Sequence, residues 1–169
     1  LFDKIARSAM FGLPFSSHTD WFSSALRFEC QPDCHKCCKR EGIVRLASAK
    51  PGAIAESEAL AENMKISHEE FLSRFVASDS PNGQYLPDLN GQGCPLWRDG
   101  CSVYEARPSQ CRTYPFWPEV LRSRSRWQSE AEFCPGIGKG KMFAQDEIIE
   151  MLEEIRENDR RIKHTAGVK

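Results

Sequence analysis

The chain has 169 residues, 40% of them hydrophobic, a formal net charge of -1 and eight cysteines. A chain of this length can bury most of its apolar surface in one core, so it does not depend on covalent staples as a very small domain does. The near-neutral charge argues against a dedicated nucleic-acid binder, which carries a marked basic excess, and no run of about 18 apolar residues offers a membrane span.

The opening LFDKIARSAMFGLPF carries an acid and lacks the continuous apolar segment of a secretory signal. Because the chain starts at Leu1 and not at Met, a targeting segment removed by processing would leave no trace in it. Residues 1–29 read as an aromatic lead-in or docking arm. Phe11, Phe15, Trp21, Phe22 and Phe28 are spaced by Gly and Ser, with a weak helical pattern at Trp21, Phe22, Ala25 and Leu26. Residues 30–141 are the expected cysteine-rich domain.

In GIVRLA, Ile43 and Val44 have strand character, and Pro51 is placed to open a helix through AIAESEALAENM. Ser67 to Glu70 form a capping box with Ile66 and Phe71 as a hydrophobic staple. Phe71, Leu72, Phe75 and Val76 then give one apolar helical face. SDSPNGQYLPDLNGQGCP is rich in Ser, Pro, Asn and Gly and reads as a loop. Residues 142–169 carry an amphipathic C-terminal helix. Ile148, Ile149, Met151, Leu152 and Ile155 lie at helical spacing, with acids in the first turn and bases in the last, a pattern that points to core packing.

FECQPDCHKCCKR, residues 28–40, places Cys30, Cys34, Cys37 and Cys38 close together; Cys94, Cys101, Cys111 and Cys134 follow. Three chemistries compete for them. A disulfide framework belongs to secreted chains and above all to small domains, and Cys37 and Cys38 are adjacent, which is awkward for pairing. Cys34-His35-Lys36-Cys37 is a C-x-x-C with Lys36, Lys39 and Arg40 nearby to lower a thiol pKa, but the alternating strands and helices of a thioredoxin-like context are missing. Metal binding accounts for more of the pattern: thiolates suit zinc, copper(I) and iron-sulfur clusters, and C-x2-C spacing points two sulfurs at one ion. The spacing C-x3-C-x2-C at Cys30, Cys34 and Cys37 can grip three corners of a cubane cluster. The prolines after Cys94 and Cys134 resemble those after cluster ligands in bacterial ferredoxins.

Several neighbours have a plain reading beside a functional one. His35 reads as a solvated loop histidine, His68 as part of a helix cap and His164 as tail. Tyr104, Glu105, Arg107 and Arg112 flank cysteines and serve either to balance thiolate charge or as surface salt bridges. Trp97, Phe116 and Trp117 read as an apolar wall shielding a metal site. Arg122, Arg124 and Arg126 with Trp127 could touch RNA phosphates and stack a base, although a solvated face or a contact to an acidic protein is the ordinary reading. GIGKG, residues 136–140, lacks the ending of a phosphate loop and reads as a flexible loop beside Cys134.

The blocks FECQPDCHKCC, VRL before a helix, ISHEEFLSRFV, CPLWRDGCSVYEARPSQCRTYPFWP and CPGIG recur in that order in a known family. Over residues 28–141 the chain resembles the CxxCxxCC family of zinc- or iron-chelating domains, the UPF0153 or YkgJ-like group, to which flagellin lysine N-methylases also belong. The resemblance implies metal chelation by eight cysteines, matched here by Cys30, Cys34, Cys37, Cys38, Cys94, Cys101, Cys111 and Cys134. His35 stands where many relatives carry glycine, which bears on the turn after Cys34. Methyl transfer from S-adenosylmethionine to lysine is the sharpest activity the resemblance offers. Those enzymes are longer, however, and this chain lacks a glycine-rich strand-to-helix turn of cofactor-binding type.

The expected fold is therefore mostly α, with irregular cysteine-rich loops and at most short strands, in a small metal-stabilised single domain that is poorly folded without its metal. The expected function is a structural or interaction module holding zinc or an iron-sulfur cluster, within a larger protein assembly. The alternative is an iron-sulfur enzyme or accessory subunit. So many free thiols imply a reducing compartment, the cytoplasm or a mitochondrial or plastid matrix, with no membrane partner.

Overall fold

The structure is a computed structural model that describes residues 20–165 except 33, 80, 81 and 89. Phe11 and Phe15 of the expected docking arm lie outside the described residues. The weak helical pattern at Trp21 to Leu26 gives only a 3-10 turn, Asp20–Phe22, before the chain extends into β1, Leu26–Phe28. Ala25 has a positive φ of 81°, which ends the helical path. β1 pairs antiparallel with β5, Ile137–Phe143, with a bulge between Arg27 and Phe28.

A second sheet has the order β2-β4-β3, all antiparallel: β2 is Val44–Arg45, β3 Ala77–Asp79 and β4 Gly83–Leu86. The expected mostly α fold is thus corrected to a mixed α/β one. The strands are short and little patterned; β5 carries two glycines and is exposed along its middle. Long-range pairing, which local propensity does not report, holds such strands in place. The stretch SDSPNGQYLPDLNGQGCP, expected to be loop, instead carries the end of β3 and all of β4. There the Asp79 carboxylate accepts from Asn82 N at 3.2 Å and from the Tyr85 hydroxyl at 2.8 Å. GIGKG likewise is not a flexible loop but runs into β5.

Among the described residues five α-helices accompany the sheets: α1 Glu56–Met64, α2 His68–Phe75, α3 Ser109–Arg112, α4 Arg124–Phe133 and α5 Gln145–Thr165. α1 starts five residues after Pro51, because the Ala55 amide finds the Glu58 carboxylate at 2.8 Å and Glu56 reaches out of the helix. One Glu56 oxygen accepts from Ala47 N at 2.8 Å and the other from Ser109 N at 2.7 Å, so a single carboxylate joins α1 to the start of α3. The cap on α2 forms as expected on one side, with Ser67 Oγ accepting from Glu70 N at 3.1 Å, while the Glu70 side chain pairs with Arg74 at 2.6 Å. Ser67→Ala should lower stability by about 1 kcal/mol. A fall in the urea midpoint with unchanged slope would show it; an unchanged midpoint would mean that water serves the amide equally well.

Two apolar cores result. Leu46, Leu60, Phe71, Phe75 and Leu86 centre the first, where α1 and α2 meet the three-stranded sheet. Phe22, Phe116, Leu121, Trp127, Ile148 and Leu152 centre the second, beside β1 and β5. α5 joins the second core to α3: Ile148 and Leu152 enter that core, while Asn158 donates to Ser109 Oγ of α3 and accepts from Arg161. The expected core-packing role of this helix is what the structure shows.

Candidate metal centre

The cysteines arise from separate pieces of chain. Cys30 and Cys34 lie on the turn after β1, Cys37 and Cys38 in a 3-10 turn, Lys36–Lys39, and Cys94 and Cys101 in a tight loop. Cys111 belongs to α3, and Cys134 ends α4. His35 enters the 3-10 turn with a left-handed backbone, φ 44°, a conformation that glycine adopts at least cost. This gives the local reason why glycine suits that position.

Two close backbone approaches bring these pieces together, and both need glycine. Cys94 N donates to Cys38 O at 2.8 Å. A Cβ on Gly93, whose φ is +87°, would run into the Cys38 carbonyl oxygen and stand 2.8 Å from Lys39 Cα. On the other side Glu29 N donates to Gly136 O at 3.1 Å, and a Cβ on Gly136 would collide with Glu29 O and stand 2.9 Å from a Phe28 ring carbon. Cys38 thereby adjoins Cys94, and Cys30 adjoins Cys134. Asp88 fixes the first approach, since its carboxylate accepts from Gly93 N at 2.7 Å and from Gly91 N at 3.1 Å. Sequence reasoning missed Gly93, Gly136 and Asp88. Their signal was a glycine directly before one cysteine and a glycine two places after another.

All eight cysteines are free thiols, and all eight belong to one electrostatic neighbourhood. Cys30 feels Cys37, Cys34 and Cys134; Cys38 bonds to Cys101 and Cys37; Cys111 feels Cys94, Cys37 and Cys101. Burial pushes the Cys94, Cys30 and Cys111 thiols up. Hydrogen bonds to Cys101 and Cys37 raise Cys38 further, so it keeps its proton. The same bonds hold Cys37 down at about 7 and Cys101 at about 6, below the ordinary 9.0.

With these two folded-state values depressed, their thiolates favour the fold. That contribution is complete above pH 9.0 and is lost as pH falls through about 7 and about 6. In reduced, metal-free protein, alkylation followed by mass spectrometry should therefore find Cys101 and Cys37 modified first near neutral pH, and Cys38 and Cys111 last. Eight thiols reacting alike, with one alkaline midpoint, would contradict this arrangement.

Arg107 is the cation that acts on several of these thiols, lowering Cys30, Cys37, Cys101 and Cys111, while Arg98 lowers Cys94. The Arg107 guanidinium lies 3.6 Å from the Tyr104 ring centroid, and its Nε donates to Tyr104 O at 2.9 Å. Arg112 instead pairs with Glu154 at 2.8 Å, so the two arginines divide the two roles considered for them. His35, expected to be solvated, is half-buried beside Gly100. His68 makes more than a cap contact, with its Nε2 3.0 Å from Ser57 Oγ; His164 is exposed in the last turn of α5. Beside Cys134, the Tyr114 hydroxyl donates to Glu130 at 2.6 Å, and Arg40 pairs with the same carboxylate at 2.8 Å.

The expected aromatic wall is only partly present. Phe116 packs in the second core, and Trp117 stands edge-on to Tyr114, its Nε1 donating to Gln110 O at 2.9 Å. Trp97 does lie at the cysteine loop, bridged to Cys101, and its buried Nε1 has no hydrogen-bond partner. Trp127 is buried against Phe116, with ring centroids 5.5 Å apart, so it presents no face for a base. Arg122, Arg124 and Arg126 remain exposed. No helix among the described residues is long and apolar enough to cross a membrane.

Among the described residues no three His, Cys, Asp or Glu side chains converge on one point at ligating distance. The arrangement is thus a gathering of thiols short of a closed coordination shell. Its donor set fits a thiophilic metal: soft, unpaired sulfurs, two already inclined to lose a proton, with a cation and an unpaired indole N–H at hand. No solved structure matches the chain. A family model described as "CxxCxxCC: Putative zinc- or iron-chelating domain" matches residues 29–135, more than half of the 169 residues. The chain belongs to the CxxCxxCC family.

Proposed function

We propose that this protein is a metal-binding structural and interaction module. In this reading Cys30, Cys34, Cys37, Cys38, Cys94, Cys101, Cys111 and Cys134 hold zinc or an iron-sulfur cluster, and the ordered loops dock a protein partner in a larger assembly. The observation that carries it is the meeting of eight free thiols from distant segments in one electrostatic neighbourhood. Cys94 and Cys101 pack on the first core, while Phe28 and Ile137, near Cys30 and Cys134, pack on the second. A metal held there would tie the two cores together, and the thiolates would supply charge, ligation and order to loops with little packing of their own.

Since each core buries apolar residues of its own, metal removal should loosen residues 30–40 and 94–108 more than the helices. Hydrogen exchange of the protein as purified, before and after chelation, tests this. Faster exchange confined to those loops, reversed on metal return, supports the reading; unchanged exchange contradicts it.

Exposure of Cys30 and Cys37 favours a second reading, an iron-sulfur enzyme or accessory subunit, because a centre reachable from solvent can meet a substrate or an electron donor. The visible spectrum tests this second reading: a colourless zinc protein without acid-labile sulfide contradicts it, whereas colour with acid-labile sulfide supplies the cluster that it requires.

A further inference from the structure

We propose that Trp97 is a positioning residue of the metal centre: when Cys101 binds metal as a thiolate, the Trp97 indole Nε1 donates a hydrogen bond to its sulfur. The inference rests on the metal-binding reading above and deepens it by giving one ligand a polar partner.

Two contacts put the indole there. Trp97 and Cys101 are paired in an antiparallel bridge, and residues opposite one another in such a pair send their side chains to the same face, with Cβ atoms about 5 Å apart. The ring also lies beneath Lys39, whose ammonium is 4.5 Å from its centroid and which follows Cys38 in the chain. Among the described residues Trp97 packs with neither apolar core. Its indole thus sits between the loop of Cys101 and the turn of Cys38.

The Trp97 Nε1 is buried without a hydrogen-bond partner, a condition that native structures seldom leave unanswered. Two other tryptophans show the usual arrangement: Trp21 Nε1 donates to Leu121 O at 3.0 Å and Trp117 Nε1 to Gln110 O at 2.9 Å. The loop around Trp97 has engaged its own carbonyls. Cys94 O accepts from Trp97 N at 3.1 Å, Leu96 O from Ser102 Oγ at 2.7 Å, Trp97 O from Arg98 at 2.7 Å and Gly100 O from Arg98 N at 2.8 Å. Sulfur is the acceptor that remains on the shared face.

A neutral thiol accepts weakly, whereas a thiolate carries charge and accepts well. The indole N–H is therefore idle while Cys101 is a thiol and engaged once metal displaces the thiol proton to solvent. The bond then fixes the direction of the sulfur and spreads its charge, as partners of metal ligands do.

The test uses the full chain, reduced, with tryptophan labelled with nitrogen-15 and cadmium-113 as probe. On titration the Trp97 indole proton should move downfield, exchange more slowly with solvent and couple to a cadmium nucleus that also couples to the Cys101 Hβ protons. This spectrum needs no variant. Trp97→Phe, which keeps a ring and removes the donor, should in addition weaken cadmium binding about 10-fold in competition with a chelator. An indole proton unmoved while cadmium binds, a coupling to cadmium that Cys101 does not share, or unchanged affinity in Trp97→Phe would overturn the inference and leave metal binding intact. Failure of the wild-type chain to bind cadmium at all would overturn the metal-binding reading, and the inference with it.

Discussion

Gly93→Ala should lower stability by about 2–4 kcal/mol and reduce the metal bound per chain, although no cysteine is touched. An alanine at a positive φ costs about 1 kcal/mol or more, and here the new methyl group also meets backbone. The Cys38 carbonyl lies in its way and Lys39 Cα is 2.8 Å from it. Relief requires the loop of Cys94 to withdraw from the turn of Cys38, which breaks their 2.8 Å hydrogen bond. Gly91→Ala is the matched control: Gly91 has a similar φ, +80°, but nothing within 4 Å of a Cβ. It should therefore incur the backbone cost alone and keep its metal. Urea midpoints and elemental analysis of the two variants decide the matter. If both lose metal equally, the apposition of the two loops is not what gathers the thiols.

Phe116→Ala should cost about 3–5 kcal/mol, the usual range for emptying a buried aromatic site. Phe116 is 1% exposed and packs on Phe143, Trp127 and Phe28, with ring centroids 4.8, 5.5 and 5.9 Å away. Its loss removes the support under β1 and β5, the strands that bring Cys30 beside Cys134. Phe71→Ala should cost a similar amount in the first core, where Phe71 is fully buried against Phe75. The two variants differ at the cysteines: alkylation of buried Cys134 should speed up in Phe116→Ala and not in Phe71→Ala. Equal acceleration in both would show that the cores open as one unit and that the second does not specifically hold Cys134.

Of the helices, α1, α2 and α5 were legible because their signals are local, whereas α3 and α4 were not anticipated. Ser67 with Glu70 marks a start, and Ile148 and Leu152 mark a face; each is a pattern within a few residues. Of the strands only β2 was foreshadowed, by Ile43 and Val44; the others were not, because β1 finds its partner more than a hundred residues away, and the glycines of β5 resemble a loop until Leu26 and Phe28 are set against them. The same contrast divides the site. Thiol identity and C-x2-C spacing name the donors, and the family resemblance adds that they act together. The two glycine approaches that make neighbours of Cys38 and Cys94, and of Cys30 and Cys134, are tertiary facts. So is the burial of Trp127, which removes a base-stacking face that an arginine-rich string suggested.

The most direct measurement is metal content per chain, by elemental analysis on anaerobically purified protein, together with a count of free thiols before and after denaturation in chelator. Zinc or iron bound in fixed proportion to the chain, with thiols shielded in the native protein and released by denaturation in chelator, is the result this account predicts. Protein without metal whose eight cysteines are oxidised in pairs would contradict it.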